Sequence, residues 1–138
     1  MMKVFDRCCA IIIKENNKVL LGWRVDGQGW SLAGGKLEEG ENYEIAAKRE
    51  MQEEFNLLAK ELKYLGTVTS EAYVKGIKRL VQPRVFLCEE FEGKPKPQLS
   101  EMKKLKWFAL DELIDMGLFK PTKEVLEKYL AISFQKEI

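Results

Sequence analysis

Three glutamates, Glu50, Glu53 and Glu54, are the residues of this chain best spaced to do chemistry. At 100° per residue on a helix they fall within about 100° of arc, on one face. Solvated carboxylates so placed repel one another by roughly a few tenths of a kcal/mol per pair. The cost rises on burial unless cations neutralise them. Hard divalent cations prefer oxygen ligands, and magnesium is the usual one beside phosphates. Arg49, next in the chain, can pin one carboxylate or offset part of the charge. The same three residues would also suit a solvated acidic face, because glutamate is a good helix former. The chain has no histidine. The commonest general base and commonest transition-metal ligand are therefore missing, and acid–base work falls to carboxylates, lysine, tyrosine or metal-bound water.

The elements that must position these residues are read from periodicity and punctuation. A helix is predicted over 42–55, with Asn42 as N-cap, Met51, Phe55 and Leu58 as an apolar stripe, and Asn56 as a left-handed C-terminal residue. Before it, Gly34 and Gly35 open a predicted loop in which Gly35 adopts backbone angles denied to other residues, and Glu38, Glu39 and Glu41 follow. β-branched and apolar runs predict strands over 4–14, 19–24, 62–74, 77–88 and 105–108, with a hairpin turn at 15–18 and a short extended stretch at 30–32. Residues 92–100, with Gly93, Pro95 and Pro97, read as a loop. Helices are predicted over 111–116 and 122–134, with Pro121 at the entry of the second. No repeat or linker divides the 138 residues, so one α/β domain over 1–138 is expected.

The segment from Gly34 to Leu57, GGKLEEGENYEIAAKREMQEEFNL, resembles the Nudix box: Gly, five residues, Glu, seven residues, Arg-Glu, an apolar residue, any residue, Glu-Glu, any residue, Gly, an apolar residue. Gly35, Glu41, Arg49, Glu50, Met51, Glu53, Glu54 and Leu57 stand in register. At background frequencies the six fixed residues would coincide by chance with a probability of roughly 10⁻⁵ or less. Asn56 replaces the family's glycine and tolerates the same left-handed geometry. Ala33 replaces the proline that many members have before the glycine pair. Glu101 and Trp107, six residues apart, resemble a later family segment, and the strand over 19–24 is similar to the one before the box in small members.

The resemblance implies a Nudix-type α/β/α sandwich with a mixed β-sheet. It also implies hydrolysis of the pyrophosphate bond in nucleoside diphosphates linked to another moiety. Glu50, Glu53 and Glu54 become the expected Mg2+ ligands (Mn2+ a possible substitute), with Glu101 a further ligand. Glu50, Glu53, Glu41 and Glu101 are all candidate bases, and Arg49 is expected to orient a catalytic glutamate. Lys36 and Arg24 are candidates for phosphate or leaving-group contacts beside Gly35. Phe5, Trp23 and Tyr73 are candidates for base stacking. Small size and the Glu101–Trp107 segment favour a MutT-like (d)NTP pyrophosphohydrolase releasing NMP and pyrophosphate. Dinucleoside polyphosphates, to which Tyr73 points, and ADP-ribose or nucleotide sugars are the alternative substrates. A nucleotide-binding Nudix module without catalysis is the alternative of another class.

Charge and composition narrow the partners. With 23 basic and 22 acidic side chains the formal net charge is +1, which gives no global field to attract nucleic acid or an anionic membrane. Lys103, Lys104 and Lys106 are the nearest approach to a basic strip, so a small-molecule nucleotide is the expected partner, and neither stable nucleic-acid binding nor a membrane is. No signal-like stretch and no membrane-length apolar window appears. Cys8, Cys9 and Cys88 lack the spacing of a zinc site or disulfide framework and read as buried small hydrophobes in a cytoplasmic protein. Monomer and homodimer both fit.

Overall fold

Two strands that start together and then part determine the architecture. β2 (Cys8–Glu15) and β3 (Lys18–Arg24) are joined by a tight turn at Asn16 and Asn17, which both take positive φ, 52° and 60°. Asparagine tolerates these angles, and a two-residue hairpin demands them. The strands pair only beside the turn, at Lys14–Val19 and Glu15–Lys18. Beyond it they splay, and two short strands fill the wedge. β4 (Trp30–Ser31) pairs with β3, and β5 (Ala33–Lys36) pairs with β2. Antiparallel β10 (Met102–Ala109) flanks β3, parallel β9 (Arg84–Glu92) flanks β2, and β6 (Leu58–Thr67) is antiparallel to β9. A smaller sheet orders β1 (Val4–Phe5), β8 (Ile77–Val81) and β7 (Ser70–Val74). The computed structural model describes residues 4, 5 and 7–130.

Both faces of the mixed sheet are covered. Ile11 and Ile13 point to one face and Ile12 to the other, as strand alternation requires, and all three are fully buried. Helix α1 (Tyr43–Phe55) seals the first face with Ala46, Ala47, Met51 and Phe55, packed with Leu20 and Phe86. Helix α2 (Lys120–Tyr129) seals the second with Val125 and Leu126 against Val19 and Val85. Full burial of each such side chain contributes about 1.5–3 kcal/mol before entropy is counted. The result is the expected α/β/α sandwich.

Several boundaries differ from the sequence reading. The predicted strand over 4–14 breaks at Arg7, whose φ is 39°. The predicted strands over 62–74 and 77–88 are each two strands. Pro83 has no N–H to give to a ladder, so β8 ends before it and β9 begins after it. The paired breaks let the β7–β8 hairpin leave the main sheet. Leu58 does not extend the helix stripe: it is exposed and begins β6, while Ala46 and Ala47 complete the buried face. The predicted helix over 111–116 is a 3-10 turn, Leu110–Asp115. The strand over 105–108 extends to all of β10, and residues 131–134 of the last predicted helix lie outside the described residues.

Candidate active site

The wedge between β2 and β3 brings α1 against β5, and this contact makes the site. Asn42 Oδ1 accepts the Ile45 N–H at 2.8 Å and starts the helix; Asn56, at φ 59°, ends it. Between these caps Glu50 and Glu54 lie one turn apart, facing β5. Glu54 is buried at 6% exposure, and its Oε1 accepts the Gly34 N–H at 2.8 Å. The glycine pair is not a loop, as the sequence suggested, but the middle of β5. Its role is close approach. A Cβ on Gly34 would strike the Cys9 carbonyl oxygen, and one on Gly35 would stand 3.0–3.1 Å from the Glu50 carboxylate. Gly35 itself has no left-handed backbone; a side chain there would crowd the neighbouring Glu50 carboxylate and oblige it to shift.

Arg49 is the hub of the acidic cluster. Its Nε donates to Glu41 Oε2 at 2.7 Å and its Nη2 to Glu41 Oε1 at 3.0 Å, a two-pronged pair. Nη1 donates to Glu50 Oε1 at 2.7 Å and to Glu53 Oε1 at 2.8 Å, and Nη2 reaches the Lys36 carbonyl at 3.1 Å. Glu41 also accepts the Glu38 N–H at 2.8 Å. Both Glu41 oxygens are thus engaged by Arg49, and one also by a backbone N–H. The Arg49 hydrogen bond holds its carboxyl below the usual range. The guanidinium is correspondingly held in its charged form, chiefly by Glu41.

Glu50 and Glu54 are pushed the other way. Burial raises the Glu50 carboxyl above its ordinary value against the pull of Arg49. Burial and then the neighbouring Glu50 charge raise Glu54 well above it. Arg49 offsets the charge of the partly buried Glu50, while the buried Glu54 has no cationic partner of its own among the described residues, an arrangement that a shared proton or a bound cation would relieve. Glu53, half exposed, sits at the rim.

Two cavities meet at this point. One, of about 470 Å³, is acidic and is lined by Glu38, Arg49, Glu50, Glu53, Glu54, Gln98 and Glu101 with the β5 backbone. The other, of about 290 Å³, opens on the α2 side of the sheet. It is walled by Cys8, Leu32, Ala72, Val74, Val81, Pro83, Pro121, Thr122 and Val125, with Arg24, Tyr73 and Phe119 at its rim. Gly34, Gly35, Lys36, Glu54 and Glu101 line both cavities.

The NUDIX domain family matches this chain over residues 5–130. The chain belongs to the Nudix family. It is 33% identical over 106 residues to the oxidized purine nucleoside triphosphate hydrolase of Mus musculus, covering 75% of this chain and 65% of that protein. It is 30% identical over 127 residues to the CTP pyrophosphohydrolase of Escherichia coli, covering 89% of this chain and 90% of the other. The crystal structure of a MutT NUDIX hydrolase from Burkholderia pseudomallei superposes with a TM-score of 0.78 at 28% identity, over 92% of this chain and 97% of that one.

Nudix hydrolases generally depend on a divalent metal, and the donor chemistry of this Nudix site fits one. Glu54 is buried with a single backbone N–H partner, Glu50 faces it, and Glu101 lies across the same cavity. Among the described residues no three His, Cys, Asp or Glu side chains are arranged so as to hold a metal ion; three of the glutamates instead gather on Arg49.

Of the other residues singled out from the sequence, Arg24, Gly35, Lys36 and Tyr73 line the α2-side cavity, Tyr73 from an exposed position. Trp23 does not: it packs edge-on against Trp30, ring centres 5.4 Å apart, outside both cavities. Phe5 contributes backbone to β1, and its side chain lies outside the described residues. Sequence reasoning missed the contribution of α2 altogether. Thr122 accepts the Leu32 N–H on its Oγ1 at 3.0 Å, tying that helix to the strand leading into the glycine pair. It also missed Gln98, whose N–H donates to the Glu54 carbonyl at 3.1 Å and docks the Glu101 loop on the end of α1. The cysteines are free and buried as expected. Burial pushes the thiols of Cys8 and Cys9 up to about 11 and about 12, which favours their protonated forms near neutral pH.

Proposed function

We propose that this chain is a Mg2+-dependent pyrophosphohydrolase of nucleoside diphosphate derivatives, acting on nucleoside triphosphates to give a monophosphate and pyrophosphate. One observation carries the reading: a mainly apolar pocket and an acidic cavity share the β5 strand. A nucleoside seated in the first extends its phosphates along Gly34–Lys36 onto Glu50, Glu53 and Glu54. The pocket is near the lower end of the roughly 300–1,000 Å³ typical of ligand clefts, a size suited to a nucleoside. Glu50, Glu53 and Glu54 would hold the metal, with Glu101 as a further ligand. When bound it would neutralise phosphate charge and acidify water. Arg49, anchored by Glu41, sets the positions of Glu50 and Glu53. Glu53 or Glu101, both at the cavity edge, is placed to take a proton from the attacking water. Lys36 contributes positive charge beside the phosphate path.

The relatives act, by their names, on oxidised purine and on cytidine triphosphates. Both base types therefore belong in the test. Purified protein is incubated with Mg2+ and a panel of purine, oxidised purine and pyrimidine triphosphates, with dinucleoside polyphosphates, ADP-ribose and nucleotide sugars alongside. Release of monophosphate and pyrophosphate from a triphosphate is the expected result. Cleavage confined to the other substrates overturns the substrate assignment. Nucleotide binding with no turnover replaces it with a non-catalytic module.

A further inference from the structure

The α2-side pocket is walled on one side by a hairpin, β7–β8, that has left the main sheet. Ala72, Tyr73, Val74, Lys75 and Val81 of this hairpin all line the pocket. β7 is the outer strand of its small sheet, since the order is β1-β8-β7. An outer strand presents unpaired backbone groups. Here one side chain meets them. Gln28, in the loop between β3 and β4, donates from Nε2 to the Tyr73 carbonyl at 2.9 Å and accepts the Tyr73 N–H on Oε1 at 3.3 Å. An amide N–H aimed at Gln28 is not available to β8, so among the described residues Gln28 is the partner that protects Tyr73 on this edge.

Gln28 is itself held. Its Nε2 also donates to Asp26 Oδ2 at 2.9 Å, and its backbone N–H donates to Asp26 Oδ1 at 3.1 Å. Asp26 is clamped by Arg24, whose Nε donates at 2.9 Å. The Arg24 guanidinium lies over the Phe119 ring, 4.0 Å from its centre, at the entry to α2. Reversing the Gln28 amide would oppose like groups at Asp26 and at both Tyr73 positions, so the surroundings permit one orientation. The chain Phe119–Arg24–Asp26–Gln28–Tyr73 thus runs along the pocket rim, from α2 to the free edge of the hairpin.

We propose that Gln28 is a positioning residue: its amide latches the β7–β8 hairpin over the nucleoside pocket and so sets how tightly substrate is held, without taking part in the chemistry. This rests on the reading above that the pocket receives the nucleoside. No sequence signal marks Gln28, because its partner is a backbone 45 residues away.

The test uses the full chain with Gln28→Ala and Gln28→Met; methionine keeps the side-chain length and loses all three amide hydrogen bonds. Two readouts are taken: hydrogen exchange of the Tyr73 amide by NMR, and steady-state kinetics on the triphosphate the parent hydrolyses. Losing two to three hydrogen bonds of roughly 0.5–1.5 kcal/mol each corresponds to about a tenfold or greater rise in Tyr73 exchange and in KM, with kcat within about twofold. Unchanged Tyr73 exchange in both variants overturns the latch. Faster exchange with unchanged KM, or a fall in kcat at unchanged KM, overturns its role in holding substrate. A parent that turns over no triphosphate refutes the functional reading instead, and the exchange data, which need no turnover, still judge the latch.

Discussion

The two cavities that meet at β5 are built in opposite ways. The acidic one draws its lining from a single stretch, Gly34 to Glu54, with Gln98 and Glu101 added from one loop. The apolar one takes its walls from β2, β5, the β7–β8 hairpin and α2, residues that lie up to 117 positions apart, from Cys8 to Val125. The first is stiffened by charge, with Arg49 reaching Glu41, Glu50 and Glu53. The second is closed mainly by packing and by hydrogen bonds such as that from the Leu32 N–H to Thr122, with Arg24 and Asp26 placing charge at its rim. Charge placed by one helix makes for a fixed reaction. Walls contributed by separate elements make for a selectivity that can change without disturbing that reaction.

The contrast breaks most visibly at the acidic side. Glu53→Gln is expected to lower kcat by at least about 100-fold, the scale of losing a general base or a key electrostatic group, with KM little changed. Near-normal turnover would remove Glu53 from the mechanism. Next comes the shared strand. Gly35→Ala forces a methyl to within 3.0–3.1 Å of the Glu50 carboxylate. We expect roughly 1–3 kcal/mol of destabilisation, as for other overpacked positions, together with weakened metal binding. Retained stability and metal affinity would show that β5 has room to shift.

On the apolar side, Thr122→Val removes the acceptor of a buried N–H and should cost about 1–3 kcal/mol in denaturant unfolding. Its kinetic effect should appear in KM and leave kcat nearly intact; the reverse would erase the division between the cavities. The smallest effect is in pH. Glu50 and Glu54 have folded pKa values above their ordinary value, so ionising them opposes folding. Metal-free protein should therefore gain stability as pH falls through those raised values towards about 4.5. Asp26 is shifted the other way, down to about 2 by Arg24, and its contribution is lost as pH falls from its unfolded value towards that figure. Melting temperatures in EDTA should accordingly peak in mild acid, and added Mg2+ should raise them more at neutral pH than at the peak. A Mg2+ shift independent of pH would contradict this.

The same contrast explains what could be read from sequence. Glu50, Glu53, Glu54 and Arg49 stand out because helical spacing puts them on one face, but spacing alone suits a solvated acidic face equally, and it is the resemblance to the Nudix box that points to a metal. Asn42 and Asn56 bounded the helix correctly because capping is a local matter. Gly35 was legible as important but for a different reason, since its constraint is a carboxylate fifteen residues on rather than its own backbone angles. The α/β class followed from strand-like runs around a helix and the mixed sandwich from the Nudix resemblance, yet the breaks that release the β7–β8 hairpin did not, and the predicted strand over 77–88 runs through Pro83. The apolar pocket had no local signature. Thr122, Phe119 and Gln28 matter through partners that only the fold brings near, and Trp23, a plausible stacking ring by type, is turned against Trp30 instead.

Glu50 and the buried Glu54, set against Gly34 and Gly35, form the proposed cation site. It is tested most directly by titrating Mn2+ into the parent and Glu54→Gln proteins and following free Mn2+ by electron paramagnetic resonance. Glutamine can still accept the Gly34 N–H, so the fold around the site is kept while one charge is removed. The account predicts saturable binding to the parent and at least about a tenfold weaker affinity in Glu54→Gln, about 1.4 kcal/mol. Equal affinity in the two proteins would contradict it.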